Sequence, residues 1–253
     1  MRRPIWLALV AAALLAGTAG SSPAQSSGEG YLFHSPVVTL TVRGGYARAS
    51  AGSDVFDDVT SELTLDRGDF SSITGGGDIA LHLKPRVDLV FSASFSRSHK
   101  KSEFRDLVDN NSLPIEQTTT FDRAPLTANV RINLAAPGRS IGRLAWIPSR
   151  VVPYVGVGLG AMHYRFRQEG DFVNYETNGV FPAVLDTDQP SVPGWALVGQ
   201  AMAGVDYNVS THLGFSFDAR YLHARGDLGP SFKGYDRIDL SGMTATVGLS
   251  FRL

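Results

Sequence analysis

The chain has 253 residues, a formal net charge of -1 and a mean hydropathy of -0.02. This balance of charge favours neither nucleic acid nor another polyanion as a partner. Cysteine is absent, which excludes a disulfide framework and thiol chemistry. Glycine is abundant at 27 residues, and charged residues make up only 19% of the chain. This composition is typical of many short strands rather than of helices.

The N-terminus has the layout of a secretory signal peptide. Two arginines precede an apolar run from Ile5 to Ala16, and small residues follow as far as Ala24. The run is shorter than the ~20 residues that a membrane-spanning helix needs. We therefore expect residues 1–24 to be removed on export. A cut nearer Ala19 and an uncleaved anchor helix are the alternatives.

The rest of the chain is predicted to form one domain, residues 36–253, behind a flexible linker of small residues at 25–35. Its last stretch, from Met243 to Leu253, alternates apolar residues with small or polar ones. A period of two indicates an extended strand. Apolar side chains on one face and polar ones on the other suit a membrane barrel, whose outer face meets lipid and whose inner face meets a polar lumen.

The same alternation recurs along the chain and predicts eight strands. They cover residues 38–47, 77–84, 87–96, 126–134, 153–166, 195–207, 213–221 and about 237–253. In the fifth strand Tyr164 and Phe166 share the parity of the glycines, which predicts a bulge. A second break in parity is expected near Gly242.

The connections alternate between long and short. Long polar loops follow the first, third, fifth and seventh strands, at residues 50–74, 99–119, 167–193 and 223–235. Outer-membrane barrels show this asymmetry, with short turns in the periplasm and long loops outside. The pattern predicts an all-β, eight-stranded antiparallel up-and-down barrel with both mature termini in the periplasm. A soluble β-sandwich is the alternative, but its loops would not segregate so regularly by length.

Aromatic residues near the strand ends are expected on the outer face, where their rings favour the membrane–water interface. Those assigned to the outer rim are Tyr46, Phe95, Tyr164 and Tyr221, and those assigned to the inner rim are Tyr154, Tyr207, Phe215 and Phe251.

Several motifs resemble those of small bacterial outer-membrane β-barrel proteins of the OmpA/OmpW-like barrel group. They are GGY at 44–46, PYVGVGLG at 153–160, GVDY at 204–207, the signal peptide and the alternating C-terminal strand. The resemblance covers nearly all of the mature chain and is specific for fold rather than for function. It implies a place in the Gram-negative outer membrane and recognition of the strand from Met243 to Leu253 by the barrel-assembly machinery. Members of such families usually end in Phe. Here the last residue is Leu253 and Phe251 lies two residues earlier, so we expect the C-terminal signal for the assembly machinery to be shifted or weakened.

The inward faces of the predicted strands carry charges of both signs. The expected lumen charge network consists of Arg43, His82, Asp88, Arg131, Asp206, Asp218 and Arg220, and Asp78 and Lys84 share its face. An eight-stranded barrel is only wide enough inside for side chains, and a lone buried charge costs several kcal/mol. We therefore expect paired charges that close the lumen, with those of Arg131, Asp88 and Asp206 at its periplasmic end. A narrow pore, favoured by the glycines of the fifth strand, is the rival.

The long loops carry apolar side chains that are expected to be exposed. This candidate binding surface consists of Phe56, Phe70, Phe104, Phe172, Tyr175, Phe181 and Phe232. Loops on a rigid scaffold often carry recognition, so a small hydrophobic ligand is one candidate partner. The alternative is that these side chains fold the loops onto one another.

Catalysis is not expected. A lipid hydrolase needs a serine, a histidine base and an orienting group close together, and none of the six histidines has such a setting. His163 would meet Ser96 or Ser98 only by chance. No metal-ligand spacing occurs, and no cofactor is implied. The expected function is that of an integral outer-membrane protein with a structural or surface-interaction role, in contact with lipid but not with nucleic acid. Alternatives are a narrow pore for small, hydrophobic molecules and, remotely, a lipid hydrolase. The oligomeric state stays open.

Overall fold

The computed structural model describes residues 30–108, 112–142, 145–174, 184–188, 191–228 and 234–253. The expected signal peptide and residues 25–29 of the linker lie outside the described residues. The strands are β1 Val38–Ala49, β2 Ser72–Lys84, β3 Val87–Val108, β4 Pro114–Asn133, β5 Gly138–Ile141, β6 Ala145–Pro148, β7 Val151–Asn174, β8 Val184–Asp188, β9 Ser191–Asn208, β10 Leu213–Gly226, β11 Ile238–Asp239 and β12 Gly242–Arg252. An α-helix, α1, spans Asp54–Glu62, and a 3-10 helix spans Arg67–Phe70.

Eight of the strands close into a ring. The order is β1, β2, β3, β4, β7, β9, β10 and β12, every neighbouring pair is antiparallel, and β12 pairs back with β1. The closing seam runs in unbroken register from Thr39 opposite Arg252 to Ala49 opposite Gly242. The eight-stranded antiparallel barrel expected from the sequence is therefore confirmed. Outside the ring, β8 pairs with β7, β11 pairs with the end of β10, and β5 and β6 form a separate hairpin.

Alternation along each strand separates an apolar outer face from a polar interior. Phe91, Val130 and Phe217 are exposed on the outside, whereas Arg131 and Asp206 are largely buried within. This is the arrangement that a lipid-facing barrel requires, and it is the reverse of a soluble β fold. Separately, the described residues include no helix of the length and apolarity needed to cross a bilayer.

The two ends of the barrel differ. The turn end carries the short connections at residues 85–86 and 209–212 and the β5–β6 hairpin; the other end is the loop end. At the turn end, the N–H of Leu32 donates to the carbonyl of Trp146 at 2.8 Å, and the N–H of Trp146 donates back at 2.7 Å. Leu32, within the expected linker, is therefore hydrogen-bonded to the hairpin.

At the loop end, the strands are longer than the alternation predicts. Most of residues 99–119, expected to be a polar loop, continue β3 and β4 as a hairpin in which Lys100 lies opposite Thr119 and Glu103 opposite Glu116. This extension rises above the apolar band, so both of its faces are polar, and the period-two signal that marks the wall is lost.

The bulge expected in the fifth strand is wrong. The register of β7 with β9 is unbroken from Val151 to Arg167, so Tyr154, Tyr164 and Phe166 point into the barrel. Tyr154 and Tyr164 are therefore not rim aromatics on the outer face, whereas the other six are exposed there. Glycine makes the inward rings fit: a Cβ at Gly204 would lie 2.5 Å from the Tyr154 hydroxyl. The break expected near Gly242 is also wrong. β10 pairs with β11 and with β12 in one continuous register, from Gly226 opposite Ile238 to Leu213 opposite Phe251, so Ile238 and Leu240 point inward like Thr244.

Candidate functional site in the barrel interior

A first group of ion pairs lies near the turn end of the interior. The Asp88 carboxylate, 1% exposed, accepts hydrogen bonds from Arg131 Nε at 2.9 Å and Asn133 Nδ2 at 2.9 Å. His82 Nδ1 lies 2.6 Å from the other oxygen of Asp88. Arg131 Nη1 also reaches Asp206 of β9 at 3.3 Å, over the intervening strand β7. His82, Asp88 and Arg131 are cross-strand neighbours on β2, β3 and β4, which explains their proximity.

A second group lies nearer the loop end. Arg220 donates to Asp78 at 2.6 Å and to Asp218 at 2.9 Å, and Arg43 Nε donates to Asp78 at 3.2 Å. Thr246 Oγ1 donates to Asp218 at 2.9 Å. Arg43 and Asp78 lie on the neighbouring strands β1 and β2, and Asp218 and Arg220 share β10, so these pairs follow the wall. Arg220 also crosses the lumen, because it reaches Asp78 on β2 and Ser92 on β3.

The structure thus brings the seven residues of the expected network into two groups. Arg131, Asp88 and Asp206 share the turn end, as expected, with His82 beside them; Arg43, Asp218 and Arg220 lie higher, joined by Asp78. Lys84 is exposed at the end of β2 and belongs to neither group.

Sequence reasoning missed a neutral contact on the inner wall, between two amides that flank Gly158 of β7 in one row. Gln200 Nε2 donates to Asn129 Oδ1 at 2.8 Å, and Asn129 is fully buried. The Asn129 side chain fits because Gly158 has no Cβ, which would lie 2.2 Å from its oxygen. Asn129 and Gln200 both occupy inward-facing positions of predicted strands, so the alternation in the sequence was sufficient to place them in the interior.

Two spaces lie beside these polar groups. One, of about 490 Å³, borders Asp218 and Thr246 and is otherwise lined mostly by outward-facing residues such as Phe217 and Val247. A cavity of about 30 Å³ lies near the turn end, between Arg131, Asp206 and Arg252. A cavity of this size holds about one water molecule.

The loop end of the interior is filled differently, by residues 50–71, which we call the first loop. The sequence predicted a surface loop here, and this is wrong. Helix α1 turns Val55, Phe56 and Val59 inward and leaves its acidic residues in solvent. Phe56 packs edge-on against Phe121 and Phe166 of the barrel wall, with ring centroids 5.5 and 5.8 Å away.

Polar contacts fix the first loop to the wall. The N–H of Thr64 donates to the carbonyl of Glu103 at 2.8 Å, and Lys100 Nζ lies 3.1 Å from Asp69. The pKa of Asp69 lies below its ordinary value, chiefly because its carboxylate accepts a hydrogen bond from the Asp66 N–H and also because Lys100 is near. The loop is therefore an ordered part of the barrel interior.

Three of the residues expected to form an exposed binding surface pack into this interior cluster instead. Phe56 and Phe70 are buried, and Phe104 is partly buried against the same cluster, so their expected exposure is wrong. The alternative, in which these side chains fold the loop inward, describes them correctly. The side chain of Phe172 and the residues Tyr175, Phe181 and Phe232 lie outside the part that the structure describes.

One cation of the interior stands apart from both groups. Arg123 is buried at the base of the apolar cluster, with its guanidinium 5.3 Å from the centre of the Phe121 ring. Its Nη1 is 3.5 Å from the carbonyl of Ser241, and its Nη2 has no hydrogen-bond partner among the described residues. Arg123 precedes the predicted strand at 126–134, so the alternation did not place it in the interior.

The described residues do not assemble a catalytic triad. Ser241 Oγ lies 3.2 Å from His223 Nδ1, but Ser241 is only 3% exposed, so its hydroxyl cannot reach a substrate. Ser96 and Ser98 face the interior, whereas His163 packs outside against Trp195, 5.2 Å between ring centroids. Within the described ranges, no three His, Asp or Glu side chains are grouped to hold a metal ion.

Comparison with known proteins supports the fold. A family model described as an outer membrane protein beta-barrel domain matches residues 10–252. Neisserial surface protein A is similar in structure, with 11% identity, a TM-score of 0.46 and coverage of 87% of this chain and 98% of that one. OprG from Pseudomonas aeruginosa has 13% identity, a TM-score of 0.46 and coverage of 88% and 99%. The curated proteins give no match. Identities and TM-scores of this size carry no information about function.

Proposed function

This chain belongs to the outer membrane protein beta-barrel family, and from that premise we propose that it is a closed barrel with a structural or surface-interaction role. The family places it in the bacterial outer membrane, and the length asymmetry of its connections supports a turn end that faces the periplasm. The proposal includes export with removal of residues 1–24, contact with outer-membrane lipid, and recognition of the strand from Met243 to Leu253 by the assembly machinery.

The observation that supports the proposal is that paired polar side chains and an apolar cluster occupy the barrel interior. The Arg220–Asp78 pair reaches from β10 to β2, the Arg131–Asp88 pair lines the interior nearer the turn end, and the Asn129–Gln200 amide pair adds a neutral contact. Above them, the first loop contributes Phe56 and Phe70 to an apolar cluster. A hydrated ion would have to displace both, and breaking a buried ion pair costs about 3–5 kcal/mol.

Single-channel recording tests this proposal. We expect the purified chain, inserted into a planar bilayer, to give no steady conductance. Insertion is checked separately by the change in gel mobility between heated and unheated samples. A steady open level in correctly folded wild-type protein would contradict the closed barrel and favour a narrow pore.

A variant provides the matched control. It replaces residues 54–70 by a short Gly-Ser linker and carries Arg131→Ala, Arg220→Ala and Gln200→Ala, so that it removes a member of each group of interior contacts named above. We expect it to conduct in the same assay, because the glycines of β7 leave the emptied interior wide. If this folded variant were as silent as the wild type, the side chains named here would not be what closes the barrel.

A further inference from the structure

The outer face of β3, β4 and β7 changes abruptly from apolar to basic towards the loop end. Phe95, Leu126 and Trp195 are exposed in the apolar band. Directly beyond them, on the same face, lies a group that we call the cationic patch. It consists of Arg97, His99, Lys101, Arg165 and Arg167.

Strand register holds the patch together. Arg97 lies opposite Asp122, and Asp122 lies opposite Arg165, so one carboxylate stands between two guanidiniums. In the next row, His99 and Arg167 flank Thr120 in the same way. Strands in a sheet are about 4.8 Å apart, so the flanking residues of each row are separated by roughly 10 Å. That spacing suits a ligand with more than one anionic group.

The patch retains free donors. Arg97 uses Nε and Nη2 to bind Asp122 at 2.7 and 2.9 Å, which leaves its Nη1 available. Arg165 is exposed and forms no ion pair within the described ranges. In the three rows from Arg97 to Lys101, four permanent cations face two carboxylates, those of Asp122 and Glu169, and Arg167 is paired with Glu169. Glu103 and Glu116 occupy the next row, on the side away from the apolar band. The excess of positive charge therefore lies on the side of the patch that is nearer the membrane.

The patch also lies at the depth of lipid headgroups. The Arg97 guanidinium is 5.5 Å from the centre of the Phe95 ring, and the row below Arg165 pairs His163 with Trp195. Trp and other aromatic side chains mark the membrane–water interface. A ligand that reached the patch from the membrane would keep its acyl chains against the apolar band.

We propose that the cationic patch binds the phosphate groups of a phosphorylated glycolipid of the outer leaflet. Arginine is suited to this because its planar donors match phosphate oxygens, and such contacts are charge-assisted. The patch faces sideways along the wall and not outward from the loop tips, which favours a membrane lipid over a soluble polyanion.

Lipid titration of the refolded full chain in neutral-detergent micelles tests the proposal. The probes are diphosphoryl lipid A and the same lipid without phosphates, and native mass spectrometry measures the bound fraction. We expect the phosphorylated probe to bind at least roughly tenfold more tightly, and the Lys101→Gln/Arg165→Gln variant to lose roughly that factor, because each cation near an anionic lipid surface contributes to binding.

The matched control is Arg86→Gln/Arg139→Gln, which removes two exposed cations at the turn end and should leave the affinity unchanged. Three outcomes would overturn the proposal: equal binding of the phosphate-free probe, equal losses in both variants, or equally tight binding of a sulfated oligosaccharide that lacks acyl chains. The last would identify a surface for soluble polyanions.

Discussion

The guanidinium of Arg220 lies between two carboxylates in the barrel interior. Its side chain is 3% exposed, and those of its partners Asp78 and Asp218 are 9% and 2% exposed. It also donates to Ser92 Oγ at 3.0 Å. Asp78 is also bound by Arg43, whereas among the described ion pairs Asp218 has Arg220 as its cation. Loss of Arg220 therefore leaves the buried Asp218 without that partner.

Replacing Arg220 by Leu should therefore lower the free energy of unfolding by about 3–5 kcal/mol, since it leaves uncompensated buried charge. Urea unfolding in lipid vesicles, followed by tryptophan fluorescence, measures this loss. The control is Arg237→Leu, which removes an exposed pair with Asp227 and should cost less than about 1 kcal/mol. Equal losses in the two variants would mean that the interior pairs contribute no more than surface ones.

Individual inward-facing residues could be predicted where apolar and polar residues alternate along a strand without interruption. Asp88, Arg131 and Asp206 follow from the parity of their strands and from the need to pair charge in a narrow lumen. Tyr164 was misplaced because its size suggested the lipid face. Its place inside depends on Gly194 and Gly226, where a Cβ would lie 2.4 Å from its side chain. These glycines come from other strands, so strand-by-strand reasoning could not anticipate that space.

At the scale of elements, the first loop shows what alternation cannot predict. Helix α1 has only nine residues, too few for a clear helical period, and its many acids suggested a solvated loop. Its inward side chains are defined by contact with Phe121 and Phe166, far along the chain. The strands of the wall were predictable because each faces lipid on one side, whereas the loop gains its order from tertiary packing alone.

Phe56→Ala should loosen the first loop without unfolding the barrel. Truncating a buried phenylalanine costs about 3–5 kcal/mol, and here that cost falls on local opening of α1. Hydrogen–deuterium exchange should become faster at the amides of residues 54–62 and stay unchanged in β12. Ser61→Ala, on the exposed side of the same helix, is the control. Unchanged exchange in Phe56→Ala would mean that the loop is held by its polar contacts.

At the scale of the whole molecule, orientation relative to lipid separates a membrane barrel from any soluble β fold. Val157, in the middle of the outer face of β7, is 66% exposed. In a soluble protein a charged residue at such a position would be harmless. In a bilayer it would have to lie in hydrocarbon.

We therefore expect Val157→Arg to lower the free energy of unfolding in lipid vesicles by about 2–4 kcal/mol, the cost of arginine near the bilayer midplane. Val108→Arg provides a matched control, because Val108 is equally exposed but lies on the extension of β3 above the apolar band. It should change stability by less than about 0.5 kcal/mol. No difference between the two variants would contradict a lipid-facing wall.

The seam between β1 and β12 has a consequence for how the ring is made. It joins Leu40 to Phe251 and every pair up to Ala49 and Gly242, partners that lie about two hundred residues apart along the chain. Hairpins such as β2–β3 need only local contacts, but this last pairing carries the entropy of bringing distant segments together, which slows folding. Until it forms, the edges of β1 and β12 are unpaired, and unpaired strand edges invite aggregation. Because the first and last strands of the ring must pair with each other, we expect the chain to need protection from aggregation between its synthesis and its insertion into the membrane.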